Sequence, residues 1–587
     1  MRRLLVAVVG IVLAVSVPGA AQDEGWVSVR RFGAIADGKT DSTAAIQAAI
    51  DAVAARPTRG KILLPSGEGC YRITAPLRLR VPGLRIEGDN FALNGSGTCI
   101  TASGFAGPVF HATIAPTEDL HFTDSLVRGP GRGLLLSRTW QDTGSYVDLQ
   151  YVAAARLDGL QAFTAELFFR IDEPGANVST LWASAGSLNG TDPPHSAFAF
   201  DVDPGGRITA RLTVGGVVHA ITTQPIELRR VYHAAITYDG SAVRLLLGAP
   251  GQRSVLAGER AASGPVSQGP YELMPIGGRR GSWPHGARVT DVVNGVVDSL
   301  RLSGTARYTA PMNAPAEKLP FDRDTLLVEN FDRETTEFSI VSTPHGPAYI
   351  PKNSPITGLL PYLEIAHMQL NVGAGLGIWL HGVIMSNFHH LGILGGVFGI
   401  TGREANFLNS FSNLHLSSAD QSFAKAGIAL TTNNEITSVR DSSFSGWPTA
   451  IAMTDSGGGV ISSVFVHGHH QVIPFIFHDS WIHLDSVHSS NEDADPGFEA
   501  NVRVTGHSNV TITGGRFERF VDAGPAIELD GGVAMTLSTP RFQMGAGARE
   551  VIKVLAKPGR KVLILNGEVT PEQVPWTTTP DAVTALP

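Results

Sequence analysis

Cysteine and charge are both scarce in this 587-residue sequence. It contains two cysteines, Cys70 and Cys99, and Asp, Glu, Lys and Arg together make up 17% of the residues. The formal net charge is −8, and no stripe of lysines and arginines offsets it. We therefore expect no nucleic-acid partner, because binding a phosphate backbone needs such a stripe. Beyond residue 21, no apolar run reaches membrane-spanning length, so we expect no membrane span after removal of the N-terminal segment.

Turn-forming residues, by contrast, are abundant. The 66 glycines and 36 prolines are typical of a chain with many short strands and turns, and the length predicts two or more structural units. Residues 1–21 start with Arg2 and Arg3, continue with an apolar run and end in small residues. This pattern predicts a secretory signal peptide, with a retained membrane anchor as the alternative. We expect a secreted or periplasmic protein.

The segment from Phe32 to Ile73 is the most informative part of the sequence. It contains a Gly-Asp-rich turn, a helix that Asp41 is predicted to cap, a β-run and a Pro-containing turn. The helix has an apolar face at helical spacing, formed by Ala45, Ile46, Ala49, Ile50 and Val53. The segment resembles the N-terminal cap of pectate-lyase-like right-handed β-helix proteins, especially the branch of polygalacturonases, rhamnogalacturonases and phage tailspikes. The resemblance implies an all-β fold with a right-handed parallel β-helix, and it carries no catalytic residue.

The β-helix pattern is interrupted. We predict the cap and first rungs over residues 26–119, and a β-sandwich over residues 120–335, where longer antiparallel strands occur. The order of these strands resembles a laminin-G-like or concanavalin-like jelly roll, with motifs at Tyr146–Asp148, Tyr232–Ala234 and Val297–Leu300. The main β-helix is predicted over residues 346–561, with a period of about 22 to 30 residues, and a tail over residues 562–587.

Cys70 and Cys99 both fall in the predicted first rungs. Because an exported protein meets an oxidising compartment, we predict a disulfide between them, with two buried thiols as the alternative.

Acidic and histidine-rich loops on neighbouring predicted rungs are the candidate active site. In polygalacturonase-like relatives, acidic residues cluster just before the strand that resembles the GIWL and GIAL sequences found here. The corresponding loops supply Glu492, Asp493 and Asp495 as acid and base candidates, with His469 and His470 as supporting groups. Such chemistry needs two carboxyl groups flanking a glycosidic bond. The alternatives are a solvated surface loop and a calcium site.

Further residues are candidates for binding substrate. We predict this role for a set of polar and aromatic side chains of the main β-helix, namely Asp420, Lys425, Arg440, Trp447, Trp481 and Arg519. For the two tryptophans, burial of the ring is the alternative to stacking on a sugar. His389, His390, His483 and His488 could serve as metal ligands, but they show no closed ligand spacing, so we expect ordinary stacked or exposed histidines.

The expected function is that of an exported glycoside hydrolase acting on a polysaccharide or oligosaccharide. The polygalacturonase signatures Asn-Thr-Asp and Gly-Asp-Asp are absent, so the resemblance does not identify the sugar. Lys425 is the only lysine between Lys352 and Lys553, which favours hydrolysis over lyase chemistry that uses a basic residue. A polysaccharide lyase and a non-catalytic glycan-binding or adhesion protein are the alternatives. The hydrolase needs no cofactor, calcium remains possible, and no oligomeric state is predicted.

Overall fold

A computed structural model describes residues 25–56, 60–92, 96–114, 122–137, 147–148, 157–184, 196–267, 274–280, 289–290, 293–333, 335, 337–351, 358–403, 405–418, 424–467, 471–491, 498–519, 524–545, 547–555, 562–579, 581 and 583–586. The predicted signal segment, residues 1–21, lies outside this description. Among the residues that the model describes, no helix is both long and apolar enough to cross a membrane.

A short helical cap precedes the first rungs. A 3-10 helix spans Val29–Phe32, and helix α1 spans Thr43–Ala54. The residue before the first turn of α1 is Ser42, so the prediction of Asp41 at that position is wrong by one residue. Asp41 still satisfies the helix start, because its Oδ1 accepts a hydrogen bond of 3.0 Å from the Thr43 amide. The predicted apolar face is buried in the core at Ile46, Ala49, Ile50 and Val53, and Ala45 packs against it partly buried.

The first rungs consist of seven short strands. They are β1 (Trp26–Ser28), β2 (Lys61–Leu64), β3 (Tyr71–Ile73), β4 (Leu77–Leu79), β5 (Arg85–Gly88), β6 (Cys99–Ala102) and β7 (Pro108–Thr113). The Cys70 and Cys99 sulfurs form the disulfide that the sequence predicts, and their Cα atoms lie 4.6 Å apart.

An antiparallel unit follows. Its strands are β8 (Phe122–Asp124), β9 (Arg132–Leu136), β10 (Val147–Asp148), β11 (Phe163–Glu173), β12 (Ser179–Ala183), β13 (Phe198–Val202), β14 (Arg207–Val214), β15 (Val217–Pro225), β16 (Val231–Tyr238), β17 (Ala242–Gly248), β18 (Val255–Ala261), β19 (Pro275–Ile276), β20 (Arg279–Arg280), β21 (Val289–Thr290), β22 (Asn294–Ser303), β23 (Thr325–Glu329), β24 (Phe338–Thr343) and β25 (Gly346–Pro351). Strands β10, β12–β15 and β19 form one sheet, and β8, β9, β11, β16–β18 and β22–β25 form a larger one. Both sheets contribute to one apolar core that includes Phe169 and Trp182.

The chain then returns to parallel pairing. The strands are β26 (Leu360–Pro361), β27 (Glu364–Asn371), β28 (Leu376–His381), β29 (Val383–Ile384), β30 (Asn387–Leu394), β31 (Phe398–Arg403), β32 (Asn406–Phe407), β33 (Ser410–Ser417), β34 (Ala426–Glu435), β35 (Ser438–Ser445), β36 (Thr449–Gly457), β37 (Gly459–His467), β38 (Phe475–His478), β39 (Trp481–Asp485), β40 (His488–Asn491), β41 (Val502–Thr505), β42 (Asn509–Thr513), β43 (Arg516–Arg519), β44 (Ile527–Asp530), β45 (Ala534–Ser538), β46 (Arg541–Met544), β47 (Ile552–Val554), β48 (Val562–Leu565), β49 (Glu568–Thr570) and β50 (Val583–Leu586).

Two parallel sheets build this solenoid. The first sheet contains β1–β3, β5, β6, β27, β30, β33, β35, β37 and the later strands up to β50 that pair with them, and the second runs from β4 and β7 through β28 to β47. Alternate side chains point into one continuous apolar core, as the sequence predicts. The structure is therefore all-β, with a β-solenoid and an antiparallel insert.

The unit boundaries differ from those predicted. Antiparallel pairing continues through the β24–β25 hairpin to Pro351, so the insert extends past residue 335 and the main solenoid resumes at Leu360 rather than at residue 346. The predicted tail from residue 562 supplies β48, β49 and β50, which pair in parallel with the solenoid.

Left-handed residues bend the strands of the first sheet. Successive bends occur at equivalent positions in β27, β30, β33, β35 and β37, at His367, His390, Asn413, Asp441 and Ser463, each with φ between 49° and 59°. The parallel pairing passes over the first two bends, because Ala366 pairs with His389 and Met368 pairs with Leu391. We call these residues the bend column. The outward side chains after the bends form a separate face, which we call the distal face. It includes the side chains of His415, Ser443, Phe465, His488 and Glu518.

Candidate functional site

The predicted catalytic residues lie outside the described part of the chain. This applies to Glu492, Asp493, Asp495, His469 and His470, and also to the predicted substrate-binding residue Asp420. Their roles stay predictions.

Strands β37 and β40, which precede the histidine-rich loop and the acidic loop, are described, and they end beside strand β43. Phe465 pairs with His488 in the register of β37 and β40, and Asn491 pairs with Arg519 in that of β40 and β43. Neighbouring strands in a sheet are spaced about 4.8 Å apart. The ends of β37, β40 and β43 therefore share one edge of the distal face, as the stacking of rungs predicts.

A buried carboxylate lies at this edge. Glu518, on β43, is 4% exposed, and its Oε2 lies 3.1 Å from Nε2 of His488 on β40. Its Oε1 forms an ion pair with Nε of Arg516, whose Nη2 donates a hydrogen bond of 3.0 Å to Oε1 of Gln543. A buried carboxylate needs such partners, because desolvation otherwise disfavours its charged form. Glu518 is thus held in place by one imidazole and one guanidinium, at the loop edge.

More imidazole and hydroxyl groups continue along the distal face. The Phe465 ring stacks on His467 with centroids 4.8 Å apart, and it contacts His488 at the same separation. Further along, Nδ1 of His415 lies 2.6 Å from Oγ of Ser443. Burial lowers the pKa of His415, and the charge of His467 lowers it further. The face therefore offers several groups that can donate or accept hydrogen bonds from sugar hydroxyls.

Two predicted substrate-binding residues are buried, and those predictions are wrong. Trp447 is 1% exposed and belongs to the solenoid core, so its ring is not available for a sugar. Arg519 is also 1% exposed. Its Nη1 donates hydrogen bonds to the carbonyl oxygens of Glu499 (2.7 Å) and Pro525 (2.8 Å), and its guanidinium lies 4.7 Å from the Phe498 ring centroid. The Arg519 side chain therefore stabilises the neighbouring backbone and does not contact a ligand at the surface.

The other three described candidates reach the surface. Lys425 is half-buried just before β34, and Arg440 is exposed on β35, with Nη2 3.5 Å from Oγ of Ser410. Trp481 is 65% exposed at the start of β39. The ring of Trp481 is therefore accessible, as stacking on a sugar requires.

A charge network occupies the second sheet near the same loops. Arg503 on β41 forms ion pairs with Glu528 on β44 and with Glu499, and Lys553 on β47 lies 3.3 Å from Glu528. The charges alternate across neighbouring strands. This arrangement keeps each carboxylate paired and stabilises the stack of rungs.

Three histidines converge at the other end of the first sheet. Ligand nitrogens of His367, His389 and His390 all lie within 4.8 Å of one another, although the sequence led us to expect ordinary histidines. His367 was missed, because its proximity to His390 depends on the bends. Burial lowers the pKa of His390, as do the neighbouring His367 and His389. By contrast, His483 lies 3.0 Å from Oγ1 of Thr513 and His488 is occupied by Glu518.

Two buried acidic side chains of the antiparallel unit, those of Asp298 and Glu166, have structural roles. Asp298 is fully buried, and it pairs with Lys318 and accepts a hydrogen bond of 2.8 Å from the Ser125 hydroxyl. Glu166 is also fully buried and accepts from Nε of Arg301 (2.8 Å) and from the Tyr308 hydroxyl (2.7 Å).

Family models match two separate segments of the chain. Residues 26–115 match the family described as rhamnogalacturonase A/epimerase, pectate lyase-like. Residues 141–310 match the concanavalin A-like lectin/glucanases superfamily. The first match covers the first rungs of the β-solenoid, and the second lies within the antiparallel unit, which we call the concanavalin-like domain. Both resemblances predicted from the sequence are thereby confirmed. Comparison with the curated proteins gives no match.

Several solved structures resemble this chain over different shares of its length. ORF18 of Geobacillus virus E2 is 9% identical, and the match covers 93% of this chain and 62% of ORF18 with a TM-score of 0.36. A putative carbohydrate binding protein from Bacteroides ovatus is 15% identical over 42% of this chain and 63% of its own, with a TM-score of 0.25. The Ruminococcus gnavus IT-sialidase CBM40 bound to α2,3 sialyllactose is 12% identical over 33% and 95%, with a TM-score of 0.22.

The chain spans about three fifths of the length of the first two of these structures. All three TM-scores lie below 0.5, so these likenesses carry no argument about a shared ligand or activity.

Proposed function

We propose that the protein is an exported polysaccharide-active enzyme, and that its reaction is glycoside hydrolysis on the distal face. The observation that carries this proposal is the buried Glu518, held by His488 and Arg516 where the predicted catalytic loops leave the sheet. A carboxylate that is buried and positioned by hydrogen bonds is pre-organised for proton transfer or for stabilising developing positive charge.

Each group has a distinct role in this mechanism. Glu518, paired with Arg516, orients the ring of His488 through the contact between Oε2 and Nε2. His488 is about one-third exposed, so its ring can exchange a proton with a bound sugar or water. Glu492, Asp493 and Asp495 supply the carboxyl groups that flank the glycosidic bond, with His469 and His470 as supporting groups.

We assign polysaccharide binding to other side chains on the surface of the solenoid. Arg440 and Lys425 contribute positive charge, Trp481 contributes an exposed aromatic surface, and Asp420 extends the same set of loops. The family descriptions support a carbohydrate substrate, since one refers to rhamnogalacturonase or epimerase and the other to lectins and glucanases. We propose that the concanavalin-like domain holds the polysaccharide while the solenoid cleaves it, after export by the N-terminal signal.

A panel of extracellular polysaccharides tests the proposal. Hydrolysis releases new reducing ends without the ultraviolet absorbance of unsaturated uronate. Reducing ends together with that absorbance would instead establish a lyase. Binding of a polysaccharide without either product would establish a non-catalytic glycan-binding protein. Addition of calcium, and its removal by a chelator, determines whether the reaction needs that ion.

A further inference from the structure

We propose that His367, His389 and His390 form a binding site for one divalent transition-metal ion of the zinc class. The inference is independent of the proposed hydrolase activity. It rests on the arrangement of the three rings, on the group that orients one of them, and on the cleft beside them.

The backbone brings the three rings together. His367 and His390 occupy consecutive positions of the bend column, with φ of 59° and 52°, and their rings stack at 4.8 Å between centroids. The His389 ring lies nearly perpendicular to both, at 5.3 Å from each. A left-handed conformation at a residue other than glycine is costly, and it persists where the structure over-determines it. The two bends therefore present histidines at a conformational cost.

The distances between donor atoms fit a metal. Nδ1 of His389 lies 3.0 Å from Nδ1 of His390, and the three ligand atoms all fall within 4.8 Å of one another. Three nitrogens at about 2.1 Å from a tetrahedral zinc ion lie about 3.4 Å apart. The stacked rings of His367 and His390 would rotate about their side-chain bonds to direct their nitrogens at one ion.

A carboxylate orients His389. Oε1 of Glu364 lies 3.2 Å from Nε2 of His389. In the tautomer that this carboxylate favours, Nε2–H donates a hydrogen bond to Glu364 and Nδ1 keeps its lone pair for the shared space. Arg85 fixes Glu364 through Nη2, at 2.8 Å from Oε1. A carboxylate behind a ligating imidazole is the usual support of protein zinc sites.

One of the three histidines borders a cleft. His367 also lines a cleft of about 510 Å³, together with Trp26, Glu87 and Asp89. Gly88 is required there, because a Cβ at this position would collide with the carbonyl oxygen of His367. Three imidazole ligands leave the fourth position of a tetrahedral zinc ion for an exchangeable water. Calcium and magnesium prefer oxygen donors, so neither is the expected ion.

The test is a zinc titration of the full chain without a histidine tag, after removal of metals by a chelator. We expect one Zn²⁺ per chain in competition with a chromophoric chelator. His389→Ala and His390→Ala should each weaken binding at least 100-fold, and Glu364→Gln should weaken it about 10-fold. His507→Ala is the matched control, because this histidine is 93% exposed elsewhere on the solenoid.

X-ray absorption of the zinc-loaded wild-type chain keeps the test independent of how the variants fold. Three imidazole nitrogens at about 2.0–2.1 Å would support the site. A shell of oxygen atoms alone, absence of stoichiometric binding, or undiminished binding by a folded His367→Ala/His389→Ala/His390→Ala variant would overturn it.

Discussion

Nε of Arg85 lies 2.6 Å from Oε2 of Glu364, although the two residues are 279 positions apart in the sequence. Arg85 belongs to β5, before the concanavalin-like insert, and Glu364 begins β27, after it. These strands pair in parallel, with Arg85 opposite Glu364. The insert therefore leaves the solenoid from one rung and returns the chain to the adjacent rung, so that the parallel sheet continues across the interruption.

The insert also packs on the rungs at this junction. The Phe338 ring lies 4.6 Å from the His111 ring, and Glu337 pairs with Arg78 and Arg80 on the solenoid. Burial lowers the pKa of His111 well below its ordinary value, and the nearby charges of His381 and Arg78 act in the same direction. His111 is thus a neutral packing residue of the junction.

The disulfide should stabilise the first rungs specifically. It closes a loop whose ends are 29 residues apart, for which the chain-entropy relation gives about 3–4 kcal/mol. Cys70→Ser/Cys99→Ser should therefore accelerate hydrogen exchange in β3 and β6 and leave exchange in β42 and β45 unchanged. Reduction of the wild-type protein should reproduce the effect. Equal exchange in the oxidised, reduced and variant chains would contradict this prediction.

The concanavalin-like domain should lose stability in acid through Glu166. Burial raises the pKa of this carboxyl, but the hydrogen bonds and charges of His233, Arg301 and Tyr308 lower it more, to about 2. A carboxyl with a lowered pKa in the folded state stabilises the fold above its unfolded value of about 4.5, and this contribution is lost as the pH falls toward 2. The difference corresponds to about 3 kcal/mol.

Hydrogen exchange in β11 and β16 between pH 5 and pH 2.5 measures this effect. Glu166→Gln should reduce protection at neutral pH and flatten its dependence on pH, because the glutamine does not titrate. Glu227→Gln in the same domain is the control, since that carboxylate is largely exposed. The same slope in wild type and Glu166→Gln would show that another group controls acid stability.

Trp481 should contribute to polysaccharide binding. Stacking of an aromatic ring on a sugar face is worth about 1 kcal/mol, so Trp481→Ala should weaken binding about fivefold. Ile436→Ala is a suitable control, because Ile436 is similarly exposed, at 58%, but has no aromatic ring. Isothermal titration with an oligosaccharide that the wild-type protein binds measures the affinity of both variants. Unchanged affinity in Trp481→Ala would remove this residue from the binding surface.

The sequence predicts the fold better than the site. The apolar alternation in the strands, the cap and the two cysteines each report local structure, and the structure agrees with them. Trp447 and Arg519 were assigned to the surface because simple alternation does not hold near rung corners. Gly446, with φ of 70°, turns the chain just before Trp447, and Arg519 ends its strand facing backbone carbonyls.

The histidine cluster shows what a single sequence conceals. His367 and His390 are separated by 23 positions, the same offset that relates Glu364 to Asn387 in the paired strands. That spacing is a signal, but it becomes informative only when the bends are known. Similarly, the pairing of His488 with Glu518 follows from the one-rung register of β40 and β43, which residue composition does not specify.

The most direct test of the proposed function is the rate of reducing-end release by Glu518→Gln on a polysaccharide that the wild-type chain cleaves. Glu518 orients His488, to which we assign proton exchange, and general acid–base catalysis contributes about 100-fold or more, so we expect a loss of about 100-fold with the affinity for the polysaccharide retained. Glu568→Gln, an exposed carboxylate further along the distal face, should keep wild-type activity. Wild-type rates in a folded Glu518→Gln variant would contradict the proposed site.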